Sequence, residues 1–194
     1  MLAGRGYSVF ETSVGRCGIA WGQAGIVGVH LPEAREIETL RRMLRQYPEA
    51  RELRPTPGVE IAIDGIVALL RGQACDFSDV TLDMHCVTPF NRRVYEFART
   101  IPRGETLTFA EVAKRLGASG ASHAVGQAIA RNPFTIIIPC HRVLPAAGEA
   151  NGFCANGGVI TKRRLLSLEG ALASSGPTLF DVLLSSVAPS RTAG

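Results

Sequence analysis

A chain of 194 residues makes one large domain or two small ones, and with 46% apolar residues it can bury a sizeable core. It has no apolar run of the roughly 18 residues that would span a bilayer and no signal-peptide pattern, so we expect a cytoplasmic protein with no membrane partner. The formal charge of +4 is uneven: residues 1–88 hold nine Lys/Arg against eleven Asp/Glu, and residues 89–173 hold eleven against five, as a nucleic-acid-facing module or simply a solvated basic surface would.

The first half reads as α/β. Residues 8–12 alternate like a strand, residues 18–21 and 26–31 are short β-rich runs, and Gly22-Gln-Ala-Gly25 between them is a hairpin turn. Pro32 ends the second run. Residues 33–47 place Ile37, Leu40, Met43 and Leu44 at helical spacing, predicting an amphipathic helix. The Pro55-Thr-Pro57-Gly58 cluster breaks the chain, residues 61–70 read as a second helix, and residues 80–84 alternate like another strand.

From Pro89 the pattern turns helical. Residues 90–101 set Phe90, Val94, Phe97 and Ala98 on one face, and Gly104 stops the helix. Thr106 or Thr108 caps a helix over residues 109–116, where Thr108-Phe-Ala-Glu111 fits the capping box. Residues 117–120 turn, and residues 121–131 form another helix. Two short helices joined by a Gly-containing turn fit a DNA-binding helix-turn-helix and an ordinary helical hairpin equally well on spacing alone. Ile136-Ile-Ile-Pro139 puts Cys140 in a buried or half-buried strand-to-turn setting. Residues 152–158 form a Gly-rich loop, and residues 162–168 a last helix that delivers Glu169 and stops at Gly170. Residues 174–194 read as a largely disordered tail whose apolar patch at 179–184 can dock. The expected architecture is an α/β N-terminal domain (1–88) and a mainly α-helical C-terminal domain (89–173) that contains a helix-turn-helix.

Five cysteines, Cys17, Cys75, Cys86, Cys140 and Cys154, are an odd number without framework spacing, which points to a reducing compartment and leaves a thiol for chemistry. Cys75, His85 and Cys86 are loosely grouped, but adjacent side chains point different ways, which argues against a zinc site. Cys140 and His141 are also adjacent, and for a random Cys-His pair a buried cysteine beside a structural histidine is the better reading. Three features shift it. Pro139 bends the chain before the cysteine, Glu169 can accept from the imidazole and fix its tautomer, and Asn132 can tie down a tight turn upstream. Nucleophile, base and orienting carboxylate make thiolate at useful levels, without choosing between an acyl and an alkyl target.

The run Asn132-Pro-Phe-Thr-Ile-Ile-Ile-Pro-Cys-His-Arg-Val143, the Gly-rich loop and Leu165-Leu-Ser-Leu-Glu169-Gly resemble the signature of the O6-alkylguanine-DNA alkyltransferases. Arg103-Gly-Glu-Thr-Leu-Thr-Phe-Ala-Glu-Val-Ala and Ala124-Val-Gly126 are similar to that family's helix-turn-helix. The likeness covers about 80 residues, 91–170, and extends more weakly to the first ninety. It implies direct, single-turnover repair of double-stranded DNA by a monomer, with no metal and no cofactor. Cys140 would take the alkyl group, with His141 as base, Glu169 orienting it and Asn132 holding the turn. Phe109, Pro139, Val143, Phe153, Cys154, Gly157 and Gly158 would line the base pocket. Thr108, Ser122, His123, Ala124, Gly126 and Arg131 would meet DNA, with the second helix in the minor groove and the lesion flipped out.

The chain departs from the family pattern at Phe109, where Tyr is usual, and at His123, where the family places an Arg that fills the gap left by the flipped base. Its loop at 152–158 looks two residues longer, Phe153 stands for the usual aromatic, and Cys154 is a small pocket residue or a second thiol. Phe109 loses a hydroxyl donor, on the order of 1 kcal/mol. The competing readings are a lesion sensor that binds and transfers poorly, and a cysteine hydrolase of acyl or amide bonds.

Overall fold

The computed structural model describes residues 6–33, 35–145 and 158–171. Its first half is a sheet whose two faces are both covered. β1 (Gly6–Thr12), β2 (Gly15–Gly22) and β3 (Gly25–His30) form an antiparallel meander, and β4 (Arg51–Glu52) joins β1 in parallel to give the order β3-β2-β1-β4. The strands alternate as a sheet buried on both sides must. Cys17, Ile19 and Trp21 of β2 enter the main core, whereas Ala20 packs with Val27, Met43, Tyr47 and Ala50 under the first helix.

That helix, α1 (Glu36–Gln46), starts three residues later than the pattern suggests. Glu33 is held outside it, its backbone N–H donating to Thr39 Oγ1 at 2.9 Å. The buried face carries Thr39 and Met43, and Ile37 is 47% exposed. The Pro57 cluster does not break the chain before a helix; it opens one. α2 (Pro57–Leu70) has Pro57 in its first turn, where the missing N–H costs nothing and the fixed φ suits the helix. The strand expected over 80–84 is reduced to one bridge, Ile26 with Leu82. Asp83 explains the stop: its Oδ1 accepts from His85 N at 3.0 Å and turns the chain away. The approach there is close. A Cβ on Gly25, which sits at φ +129°, would lie 2.6 Å from Thr81 O.

The second half is built on α3 (Pro89–Arg99), α4 (Phe109–Arg115), α5 (Ser122–Ala130) and α6 (Gly158–Leu168). Thr88 caps α3 by accepting from Asn91 N, and Thr108 caps α4 in the expected reciprocal box with Glu111. Gly117 and Gly120, both at positive φ, turn the chain between α4 and α5. Tyr95 of α3 is buried and donates to Ala128 O of α5 at 2.9 Å. A short parallel pair, β5 (Leu107–Thr108) with β6 (Val143–Leu144), brings the start of α4 alongside the chain that follows Cys140.

The two halves share one core, in which Ile26, Ile66, Val94, Val125, Ile138 and Leu165 belong to a single buried cluster. Hydrogen bonds also join them: Val29 N donates to Pro133 O at 2.8 Å, and the Arg103 side chain donates to Gly72 O at 2.6 Å. Among the described residues no helix is long and apolar enough to cross a membrane. The tail predicted at 174–194 lies outside the described residues.

Candidate active site

The site begins at Asn132, whose buried side chain reaches both ways. Its Oδ1 accepts from Phe134 N at 2.9 Å and its Nδ2 donates to Ile138 O at 3.2 Å. Between these two points the chain doubles back. Thr135 bridges Ile138, Ile138 N donates to Phe134 O at 2.9 Å, and Ile136 is held at φ +77°. A β-branched residue there costs about 1–3 kcal/mol, so the surrounding bonds must over-determine the turn. The expected strand before the cysteine is therefore a knotted turn, because Asn132 and the Thr135–Ile138 bridge close it locally.

Cys140, His141 and Arg142 follow in one turn of 3-10 helix, whose N–H groups are tied back by Cys140 N to Ile138 O (2.7 Å) and Arg142 N to Pro139 O (2.9 Å). Both Cys140 and His141 are fully buried. In a 3-10 turn neighbouring side chains diverge by about 120°, less than the reversal that an extended strand imposes.

Glu169 comes from just beyond α6, where Gly170 at φ +78° ends the helix. Its Oε1 lies 3.0 Å from His141 Nε2, but neither ring nitrogen of His141 makes an aligned hydrogen bond among the described residues. Arg142 grips the same carboxylate with both arms of its fork, Nε to Oε2 at 2.9 Å and Nη2 to Oε1 at 2.8 Å, while Nη1 donates to Ile101 O at 2.5 Å. Lys162 of α6 is buried and donates to Val143 O at 2.7 Å.

The electrostatics follow from this packing. Burial opposes ionisation of Glu169, but hydrogen bonds from His141 and Arg142 outweigh it and bring its pKa down to about 2. Burial lowers the pKa of His141 below its usual value; Glu169 pulls the other way, and the Arg142 and Lys162 cations reinforce the lowering. The site at neutral pH thus sets a carboxylate against an uncharged imidazole, with Cys140 next in the chain, a set suited to deprotonating a thiol.

The other predicted residues fall at three distances from this cluster. Pro139 and Val143 flank the turn and are buried. Thr108 and Phe109 are brought near by the β5–β6 pair, and the half-buried Phe109 ring lies against Gly126 of α5, where a Cβ would come within 3.1 Å of it. Ser122, His123 and Ala124 form the first turn of α5, with His123 exposed and its Nε2 2.9 Å from Gln127 Nε2. Arg131 is exposed at the other end of α5. Gly158 is the first residue of α6, which begins four residues earlier than expected. Phe153, Cys154 and Gly157 lie outside the described residues.

Two residues went unassigned in the sequence. Arg142 carried a usable signal, since a buried carboxylate at Glu169 needs a cation and Arg142 is next to the pair. Lys162 carried none, because Lys162-Arg-Arg164 reads as a solvated basic face.

Residues 89–171 match the family model described as 6-O-methylguanine DNA methyltransferase, DNA binding domain. The chain is similar to the methylated-DNA–protein-cysteine methyltransferase of Mycobacterium bovis, 43% identical over 143 residues that span 72% of this chain and 84% of that protein. It is also similar to the protein of the same name from Methanothermobacter thermautotrophicus, 38% identical over 153 residues, 79% of this chain and 78% of the other. In fold it is similar to the crystal structure of Mycobacterium tuberculosis O6-methylguanine methyltransferase, with a TM-score of 0.68 and 35% identity over 91% of this chain and 99% of that one. The Mycobacterium tuberculosis OGT crystallised in complex with DNA gives a TM-score of 0.68 and 33% identity, covering 86% of this chain and 93% of its own.

Proposed function

This chain belongs to the methylated-DNA–protein-cysteine methyltransferase family, and from that premise we propose that it repairs DNA by moving an alkyl group from O6 of a damaged guanine onto Sγ of its own Cys140. The observation that carries the reading is the buried 3-10 turn that sets Cys140 beside His141, with Glu169 3.0 Å from the imidazole. A thiol is only a few per cent ionised near neutral pH, so a nearby neutral imidazole matters. His141 takes the thiol proton, directly or through a water. Sulfur attacks the alkyl carbon in line, and the S–C bond forms as the C–O6 bond breaks. The electron pair stays with guanine, which leaves as the anion and regains a proton from the imidazolium by way of solvent. The thioether is not hydrolysed, so each molecule acts once, and the displacement calls for no metal or cofactor.

On this reading α4 and α5 are a helix-turn-helix, and α5 enters the minor groove of the duplex. Thr108, Ser122, His123, Ala124, Gly126 and Arg131 face DNA. The O6-alkylguanine is flipped into a pocket bordered by Phe109, Pro139, Val143 and Gly158, together with Phe153, Cys154 and Gly157. Extrusion costs a few kcal/mol, least for a badly paired base, and this favours the lesion. Residues 89–173 carry binding and chemistry, and residues 1–88 support them. A self-modifying reaction needs one copy only, so the working form is a monomer, acting in the cytoplasm where its thiol stays reduced.

The test is to incubate the protein with a duplex that contains O6-methylguanine and to weigh the tryptic peptide bearing Cys140. One methyl group in place of the thiol hydrogen is expected, and Cys140→Ala should bind the duplex without transfer. Phe109 and His123 keep a second reading in view: binding with no mass change would make the protein a lesion sensor. Turnover of a thioester without affinity for DNA would make it a hydrolase.

A further inference from the structure

The proposed reaction uses Cys140, His141, Glu169 and Asn132, yet Arg142 is bonded into the same site. Its side chain is 12% exposed against 1% for that of Glu169, and its three hydrogen bonds hold both carboxylate oxygens and Ile101 O. Resting on the transfer reading above, we propose that Arg142 is a positioning residue for it: the fork locks Glu169 so that one fixed oxygen faces His141 Nε2, and the ring keeps Nδ1 for the thiol proton.

A buried carboxylate seeks a cation. If His141 were the only one within reach, the resting site would favour an imidazolium–carboxylate pair, which has no lone pair left for the thiol. Arg142 supplies the cation instead, and its planar fork also stops the carboxylate from rotating. Oε1 then serves Arg142 Nη2 at 2.8 Å and His141 Nε2 at 3.0 Å from two directions. Neither ring nitrogen makes an aligned hydrogen bond among the described residues, but Nε2 is the one that lies 3.0 Å from Glu169 Oε1, which leaves Nδ1 for the thiol proton. The charged groups facing His141 are Glu169 and Lys162 from α6 and its end, and Arg142 from its own turn; Cys140 is the neighbouring titratable group. Cys75, from the 71–80 segment, feels Glu169 and Arg142 from behind. A lysine at 142 would restore the charge but not the fork.

The first measurement uses the unmodified protein. In its 15N NMR spectrum at pH 7, free of DNA, His141 should be the neutral Nε2–H tautomer, and an imidazolium or an Nδ1–H tautomer would overturn the proposal. The second is the pH dependence of single-turnover methyl transfer. In Arg142→Gln the acid limb should move up by roughly one pH unit or more, and the plateau rate per folded molecule should fall by roughly tenfold or more. Arg142→Lys should return the limb toward the wild-type position while leaving the plateau low. A purely structural role would lower the melting temperature and the active fraction with the limb unmoved, and that result refutes the proposal. If Arg142→Gln does not fold, the tautomer and the Arg142→Lys profile still decide it. Failure of the wild-type protein to methylate Cys140 at any pH would instead sink the transfer reading, leaving the tautomer as the separate test of Arg142.

Discussion

Replacing Asn132 by alanine tests whether the turn presents the nucleophile. The side chain makes two buried bonds, accepting from Phe134 N and donating to Ile138 O. Losing the first strands a buried amide, at about 1–3 kcal/mol; losing the second costs about 1 kcal/mol, because Ile138 O still accepts from Cys140 N. The sum is about 2–4 kcal/mol. For a protein of this size that lowers the melting temperature by roughly 5–15 °C. Chemistry should suffer further, because the strained Ile136 at φ +77° would relax once the bonds on either side of it are gone, displacing Cys140 from His141. Calorimetry gives the stability, and rapid-quench transfer to Cys140, scaled to the folded fraction, gives the rate. A loss under about 0.5 kcal/mol, or a normal rate per folded molecule, would show that Asn132 does not hold the turn.

Three further outcomes are expected. His30 is buried near Arg42, and burial first, with that cation second, lowers its pKa from 6.5 to about 4. Because the unfolded chain takes up the proton first, the stability present above pH 6.5 is lost as pH falls towards 4, by about 3 kcal/mol in all. His30→Gln should therefore flatten the urea midpoint between pH 7 and 4 relative to wild type, and parallel curves would refute this. Phe109→Tyr combined with His123→Arg should speed transfer by roughly fivefold, the rate equivalent of one recovered hydrogen bond, and an unchanged or slower rate would mean those positions are misassigned. Of the cations in 89–171, Lys114, Arg115, Arg131 and Arg163 have no carbonyl contact among the described residues, so the logarithm of duplex affinity should fall against log salt with a slope of roughly −3 to −4. A slope of roughly −10 in a filter-binding series would show that all eleven cations of the second half meet phosphate.

What the sequence disclosed tracks how local the cause was. The helix at 109–115 and its cap were readable because Thr108 and Glu111 bond to each other's backbone three residues apart. The meander was readable from two β-rich runs and a Gly-x-x-Gly turn. Two of the errors had local causes that the residue pattern alone did not rank. Residues 80–84 look like a strand, but Asp83 turns back on His85, leaving a single bridge to β3. Pro57 looks like a breaker until its neighbours place it in a first helical turn. At the site, the pairing of His141 with Glu169 was legible because both belong to motifs. A cation for Glu169 was signalled by Arg142, but its two-oxygen grip and its bond to Ile101 O were not, because only the fold brings residue 101, residue 142 and residue 169 together.

The charge pattern is the clearest case of a correct count with a different use. Arg92 donates to Met84 O, Arg93 to Leu116 O, Arg99 to Phe77 O and Ser78 O, Arg103 to Gly72 O and Leu168 O, and Lys162 to Val143 O. Much of the basic excess of the second half therefore ties off helix ends and connecting segments. Arginine suits this work because a planar fork meets two carbonyls at once and stays charged when half-buried. The consequence reaches the chemistry. The turn that holds Cys140 is fixed from three sides: by β3 through Val29 N and Pro133 O, by the end of α3 through Ile101 O and Arg142, and by the end of α6 through Glu169. Two of those anchors stay within the second half and one belongs to the first. The first ninety residues are thus part of what sets the nucleophile's geometry, because a turn with an isoleucine at positive φ keeps its shape only while every anchor is in place.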